Sequence, residues 1–363
     1  MKLGIIGLPG SGKTTIFNAL TRGDIPTGQS VGGRFDVLTA VVDVQDERID
    51  VLEKMFNPRK RTYAKITYTD VAGLRKGTNA NGELEGQLLN HLAGLDGFVH
   101  VVRGFQSDFV PHPDGFVDPM RDLKVLDLEF LLNDMIIVEN RIEKLKNGLK
   151  KGVFKGEKAT AQTELALFET LFEALSDERP LRDLNLKYEQ HKTLRGYGLL
   201  TLKPVLIVIN IDEDQRDIEI EYDHNIALVT NMRGKLEMEL TQFGASSDED
   251  TLMMFMDEYD VNELGLDRAI RLSYELLGLQ SFFTVGEDEV RAWTVKRGAT
   301  AVDAANSIHS DLAKGFIRAE TISYQELIAF GGLAQARSAG KLRQEGKSYI
   351  VQDGDVISVK FNL

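Results

Sequence analysis

Gly7-Leu-Pro-Gly-Ser-Gly-Lys-Thr14 is the stretch on which the fold turns. It satisfies the phosphate-loop pattern G-x-x-x-x-G-K-[ST] in full. The apolar run Lys2–Ile6 before it reads as a strand and Thr14–Leu20 after it as a helix, so the pattern has the strand–loop–helix setting it needs. Glycines let successive backbone N–H groups turn inward as an anion-binding nest, and the helix N-terminus adds its positive dipole end. In such a loop Lys13 reaches the β- and γ-phosphates of a nucleoside triphosphate, and the Thr14 hydroxyl ligates Mg²⁺. Pro9, Gly10, Ser11, Gly12, Lys13, Thr14 and Thr15 are the expected phosphate contacts, with the Lys13 charge also serving catalysis.

Working outward, short β-rich runs recur at Val37–Val42, Lys65–Asp70, Phe98–Val102, Pro204–Ile209 and Ile226–Thr230, with helical patterns at Arg48–Met55 and Leu84–Leu92 among them. This alternation predicts an α/β domain with a mostly parallel sheet. From about 125 to 198 the texture changes. Leu128, Leu131, Met135, Val138, Ile142, Leu145 and Leu149 form a heptad seam, and Leu165, Phe168, Phe172 and Leu175 repeat the spacing after the Gly152–Gly156 break. Two such helices and a short turn predict an antiparallel helical hairpin. Its tip, Arg141–Lys158, carries seven basic residues against two acidic ones. Val261–Leu277 reads as an amphipathic helix. Beyond it, Phe282–Val285, Val290–Val295, Tyr349–Val351 and Val356–Phe361 read as strands around a helix at Ala301–Leu312, with Asp353-Gly354 as a turn. The expected organisation is a nucleotide-binding domain over 1–124 and 199–278, a helical arm over 125–198 and a small mixed domain over 279–363.

Composition narrows the function. The chain of 363 residues is 42% hydrophobic and 27% charged, an ordinary globular balance. No apolar run approaches the roughly 18 residues of a membrane helix, so no membrane role is expected. The absence of cysteine removes disulfides, thiolate metal sites and a cysteine nucleophile, and fits a cytoplasmic setting. A net charge of −13 argues against broad adhesion to nucleic acid, although residues 279–363 are neutral, with ten Lys/Arg and ten Asp/Glu.

Three further motifs bear on chemistry. Asp70-Val-Ala-Gly73 closes a strand, where an Asp holds Mg²⁺ through water and the glycine N–H meets the γ-phosphate. Asp70 thus joins Thr14 as an expected metal ligand, and Gly73 is expected at the reacting phosphate. The next residue is Leu74, where Ras-type GTPases place a water-orienting Gln. Leucine has no hydrogen-bonding group, so either another residue positions the water or turnover is negligible. Asn210-Ile-Asp-Glu213 stands where a guanine-reading Asn-Lys-x-Asp would lie. Ile211 in place of Lys, and Glu213 in place of Asp, both weaken guanine recognition. The Asn210 amide can donate to a purine N7 and accept from the adenine N6 amine. Asn210, Ile211 and Glu213 are the expected base contacts; an alternative register uses Asp212 or Asp214, and the bland alternative is an acidic surface loop. His112 lies in Phe109-Val-Pro-His-Pro-Asp-Gly115, and a lone loop histidine is most often simply solvated.

These residues resemble the YchF/Obg-like ATPase family of phosphate-loop NTPases, and the likeness runs end to end. Gly7–Leu20, with its Phe17-Asn-Ala-Leu20, resembles the family's opening motif, and Asp70-Val-Ala-Gly-Leu-Arg-Lys-Gly77 its second phosphate motif. Tyr197–Lys203 with Asn210–Glu213 resembles its altered base-recognition segment. Glu287–Thr294, Lys314–Glu320 and Gly346–Asp355 closely resemble its TGS domain, a β-grasp-like module. The resemblance implies a G-protein-like domain interrupted by a helical coiled-coil arm and followed by a TGS domain. It also implies Mg²⁺-dependent hydrolysis of ATP in preference to GTP, and association with the ribosome or translation. RNA contact would run through the arm tip and the TGS domain. By the same resemblance His112 matches the loop histidine proposed to replace the missing Gln as the catalytic group. The chain departs from the family pattern at Gly32-Gly-Arg-Phe-Asp36, where the switch threonine is missing and Thr39 is the nearest candidate, and at Met232, where a lysine is usual. The competing readings are a nucleotide-gated binding module with negligible hydrolysis and a GTP-preferring GTPase. A nucleoside kinase shares the phosphate loop, but no basic lid or acceptor base is evident.

Overall fold

The computed structural model describes residues 1–23, 25, 37–71, 86–154, 157–242, 249–258 and 263–362. The chain forms two compact units, residues 1–40 with 67–269 and residues 41–66 with 270–363. The elements up to the hairpin are β1 (Lys2–Ile6), α1 (Lys13–Thr21), β2 (Val37–Val44), α2 (Glu47–Phe56), β3 (Lys60–Thr62), β4 (Ala64–Val71), α3 (Gly86–Ala93) and β5 (Gly97–Arg103). Then come α4 (Pro119–Lys150), α5 (Lys158–Ser176), α6 (Tyr188–Leu194), β6 (Val205–Asn210), β7 (Ala227–Met232), α7 (Gly234–Gln242), α8 (Glu249–Glu258) and α9 (Gly265–Leu276).

The first sheet has the order β2-β4-β1-β5-β6-β7, and β1 pairs in parallel with both β4 and β5. The β5–β6 and β6–β7 pairs are parallel as well. Every residue of β5 and β6 is buried, as continuous apolar runs become when both sheet faces are covered. Ligands of open α/β sheets bind beyond the carboxyl ends of the strands, and the Gly7–Thr14 loop leaves β1 at that end.

Helix α4 serves two cores. Asp118 caps it by accepting from the Arg121 N–H, with Pro119 in the first turn. Leu123, Leu126 and Phe130 join the core on the sheet, together with Phe98, Ile207 and Ile209. From Leu131 onward the same helix turns Val138 towards Phe168, Leu171 and Leu175 of α5, and Leu145 further along is fully buried. The expected seam is therefore shifted. Leu128 is 42% exposed, because the first turns of α4 address the sheet rather than α5. On the return helix, Leu167 and Leu171 are buried beside the expected Phe168 and Leu175. Arg141 clamps the hairpin through a two-point bond to Glu164 (2.9 and 2.8 Å), which also accepts from the Tyr197 hydroxyl. At the arm's root the fully buried Asp134 accepts from Leu200 N–H, Thr201 N–H and Thr201 Oγ1.

The second unit adds β8 (Leu279–Thr284), β9 (Glu289–Lys296), α10 (Ala301–Ile308), α11 (Ser310–Lys314), β10 (Phe316–Ser323), α12 (Tyr324–Phe330), α13 (Leu333–Ser338), β11 (Arg343–Glu345) and β12 (Asp355–Phe361). Its sheet order is β11-β10-β12-β8-β9-β3, with β12–β8 and β9–β3 parallel and the other three pairs antiparallel. Two expectations change here. Tyr349–Val351 makes one bridge, Ile350 to Thr300, instead of a strand, and β10 supplies the strand that β12 pairs with. The helix expected over 301–312 breaks at His309, whose extended backbone (φ −162°) ends α10 and caps α11. The Asp353-Gly354 turn is present, with Gly354 at φ +85°. Asp353 accepts from Ser281 N–H and from Arg48.

Candidate functional site

Gly12 ends the phosphate loop at φ +90°, a conformation that excludes most side chains, and a Cβ there would also overlap the Asn210 amide. Gly12 is the N-cap of α1 and offers no side-chain acceptor, so the first N–H groups of α1 carry no side-chain cap. Gly10 (φ +75°) and Pro9 are exposed, Ser11 is buried, and Thr14 and Thr15 lie half-buried in the first turn of α1.

Lys13 folds back over its own loop and donates to the Gly7 and Leu8 carbonyls, each at 3.0 Å. Burial lowers its pKa to about 8, partly offset by the Asp70 carboxylate. Asp70, only 5% exposed, accepts from Thr14 Oγ1 at 3.2 Å through Oδ2. Its Oδ1 is buried with no hydrogen-bond partner among the described residues. Burial raises the Asp70 pKa, against the opposing pull of Lys13 and Thr14. An anionic oxygen left bare beside a threonine hydroxyl is a poor structural contact and a good hard-cation donor set, so these residues fit Mg²⁺. Thr39 Oγ1 lies 3.3 Å from Thr69 Oγ1, next in sequence to Asp70. Gly73, Leu74 and Gly32–Asp36 lie outside the described residues.

Asn210, at the end of β6, is brought to the loop by the sheet. Its Nδ2 donates to the Ser11 carbonyl (3.1 Å), and its Oδ1 accepts from the Gly234 N–H (3.2 Å). Both ends of the amide thus brace protein backbone. Ile211 is 2% exposed and packs in the sheet core, whereas Glu213 is exposed. Arg233 Nε donates to the Glu213 carbonyl at 3.0 Å and Nη2 to the Gln215 carbonyl at 3.1 Å, which fixes that loop.

His112 is held rather than solvated. Its side chain is 6% exposed and its Nε2 lies 2.8 Å from Asp122 Oδ2, while Nδ1 accepts from the Asp114 N–H at 3.1 Å. With Nδ1 accepting, the proton sits on Nε2 and points at the carboxylate. The loop carrying it meets the phosphate loop upstream, since a Cβ on Gly10 would stand 3.5 Å from Val110 Cγ1.

One group escaped the sequence reading. Arg103, the last residue of β5, is 2% exposed and stacks on the Phe105 ring at 4.5 Å. Its Nε donates to the Phe105 carbonyl and its Nη2 to the Val110 carbonyl. The available signal was a cation ending the apolar run Phe98–Val102 at the ligand-binding edge of the sheet.

The parallel sheet, the glycine-shaped loop and the Lys13–Thr14–Asp70 cluster define a phosphate-loop NTPase of the G-protein-like class, a nucleotide-binding switch fold. The 50S ribosome-binding GTPase family model matches residues 2–141, and the C-terminal YchF GTPase model matches residues 279–362. The protein described as ribosome-binding ATPase YchF from Bacillus subtilis (strain 168) is 38% identical over 99% of both chains. That from Escherichia coli O157:H7 is 37% identical over 100% of this chain and 99% of its own. The structure of the Schizosaccharomyces pombe YchF GTPase matches with a TM-score of 0.84 and 30% identity, covering 99% of this chain and 97% of that one. A GTP binding protein from Pyrococcus horikoshii OT3 shares the fold alone, with a TM-score of 0.58 and 19% identity over all of both chains. The chain belongs to the YchF family. It carries the G-protein-like domain with its helical arm and the C-terminal β-grasp-like TGS domain that the resemblance implied.

Proposed function

We propose that the chain is a Mg²⁺-dependent ATPase that switches state on the ribosome, in the cytoplasm. The observation that carries this reading is the buried Oδ1 of Asp70, without a partner among the described residues, beside Thr14 and the Lys13 loop. Triphosphate is taken by the N–H groups of residues 9–15, with Lys13 releasing the Gly7 and Leu8 carbonyls to meet the β- and γ-phosphates. Phosphate anions raise the proton affinity of Lys13, so the amine that burial weakens becomes firmly cationic on binding. Thr14 and Asp70 hold Mg²⁺, which when bound neutralises phosphate charge as it develops. Gly73 offers its N–H to the γ-phosphate.

With Leu74 in the water-positioning place, His112 is the group to orient the attacking water. Its Nδ1 and Nε2 are both engaged, so it acts only after exchanging Asp122 or the Asp114 N–H for the water. Adenine is favoured over guanine because Ile211 and Glu213 replace the Lys and Asp of guanine readers. The Asn210 amide is committed to the loop. The domain assignment follows the same reading: nucleotide binding by 1–124 and 199–278, an arm over 125–198 and a TGS domain over 279–363. Ribosome association is supported by the names of the relatives and by the exposed Lys144, Lys146, Lys150 and Lys151 at the arm tip, where RNA phosphate is the natural counter-charge.

Titration of ATP and GTP analogues side by side, with and without Mg²⁺, tests the reading. Tighter binding of ATP that depends on Mg²⁺ and disappears in Lys13→Ala is expected. A preference for GTP, or unaltered binding in Lys13→Ala, overturns it. Co-sedimentation with ribosomes should weaken when the four arm-tip lysines become glutamate.

A further inference from the structure

Arg103 is a buried guanidinium that no carboxylate contacts among the described residues. It forms no ion pair among the described residues, and Asp122, the carboxylate within electrostatic reach, is already bonded by His112 and Arg121. Its Nε and Nη2 are spent on the Phe105 and Val110 carbonyls at 3.1 and 2.7 Å. The Nη1 is buried and has no partner among the described residues, and it lies 3.5 Å from where a Cβ on Gly10 would stand. A cation taken out of water and left with an idle donor is unfavourable unless a ligand completes it. Here the idle donor faces the loop that binds phosphate.

Resting on the nucleotide reading above, we propose that Arg103 binds a phosphate oxygen of the nucleotide through Nη1 and thereby sets the loop that carries His112. A planar guanidinium suits this double task, because its fork holds two directions at fixed angles. One edge grips the Phe105 and Val110 carbonyls. The other meets the phosphate beside Gly10. Val110 is two residues from His112, and its side chain packs beside Gly10, so occupation of Nη1 is felt in the His112 loop through one rigid group. The positive charge that other phosphate-transfer proteins receive from a separate arginine is supplied here from within β5.

The test compares the parent with Arg103→Gln and Arg103→Lys, using ATP and ADP affinity, single-turnover rates and ³¹P spectra of bound ADP. Charge-assisted bonds of this kind predict that Arg103→Gln binds both nucleotides about 10- to 100-fold more weakly. Arg103→Lys should recover part of the affinity while turning over slowly, since it keeps the charge and loses the fork. One phosphorus resonance of bound ADP should move in both variants. Parental affinity and rate in Arg103→Gln overturn the proposal. So does equal weakening of Gln and Lys with an unmoved ³¹P spectrum, which would make Arg103 a loop brace only. Should the glutamine variant fail to fold, the lysine variant's spectrum and rate decide alone. Loss of nucleotide binding in Lys13→Ala with no effect of Arg103→Gln strikes this proposal and spares the nucleotide site; retention of binding in Lys13→Ala strikes the site itself.

Discussion

Replacing Asn210 separates two meanings of one residue. If its amide is a brace, Asn210→Ala strands the Ser11 carbonyl and the Gly234 N–H, which it now joins at 3.1 and 3.2 Å. Asn210 is 4% exposed, and both backbone partners are buried. Each buried group left without a partner costs about 1–3 kcal/mol, and water entering the vacated space recovers some of it. The expected loss is about 2–4 kcal/mol in the nucleotide-free protein. Asn210→Asp should cost at least as much, because it keeps the acceptor for Gly234 but sets a carboxylate oxygen against the Ser11 carbonyl. Urea unfolding without nucleotide measures this, and parallel titration with ATP and GTP analogues measures recognition. A brace lowers both affinities together, because the loop they share has loosened, and leaves their ratio within about threefold. Stability changed by less than about 0.5 kcal/mol together with a tenfold shift in the ratio, about 1.4 kcal/mol of base discrimination, would refute the reasoning and restore Asn210 as a base reader.

His112→Ala should lower turnover about 10²-fold or more with nucleotide affinity unchanged, and an unaltered single-turnover rate would return the residue to a structural role. Burial raises the Glu237 pKa to about 7 from 4.5, although it accepts from the Leu266 and Arg233 N–H groups. The folded state therefore holds its proton more tightly than the unfolded one. The corresponding stability is full below pH 4.5 and is lost as pH rises through about 7, by about 3 kcal/mol. Glu237→Gln should flatten that slope in urea midpoints measured from pH 4.5 to 8, and an identical slope in the variant would assign it elsewhere. Asp134→Ala strands the Leu200 and Thr201 donors at the arm's root and should cost about 3–5 kcal/mol by chemical denaturation. Nucleotide affinity serves as the control that should not move.

The phosphate loop and its sheet could be read from local pattern because their determinants are local. A glycine at φ +90°, a lysine next to it and apolar runs of strand length each follow from neighbouring residues. The arm could be read for the same reason, but its seam was misplaced at Leu128. A heptad records that one face is apolar and does not record that the first turns of the helix are taken by a different core. β3 joins the C-terminal sheet from a segment more than two hundred residues upstream, a long-range pairing that leaves no periodic mark in three residues.

By itself the sequence determined that a triphosphate loop stands on a parallel sheet, that an arm interrupts it and that a β-grasp-like domain follows. Those features rest on residue spacing, and spacing survives in one dimension. Only the tertiary structure decided what the polar groups do. It spent both ends of the Asn210 amide on Ser11 and Gly234, tied His112 to Asp122, and left Asp70 Oδ1 and Arg103 Nη1 without a partner among the described residues. Whether a donor is satisfied depends on which distant strand ends beside it, and burial then fixes the cost of leaving it empty. That is why the phosphate loop was legible from Gly7–Thr14 alone, while the arginine beside it was visible only once β5 had been laid against β1.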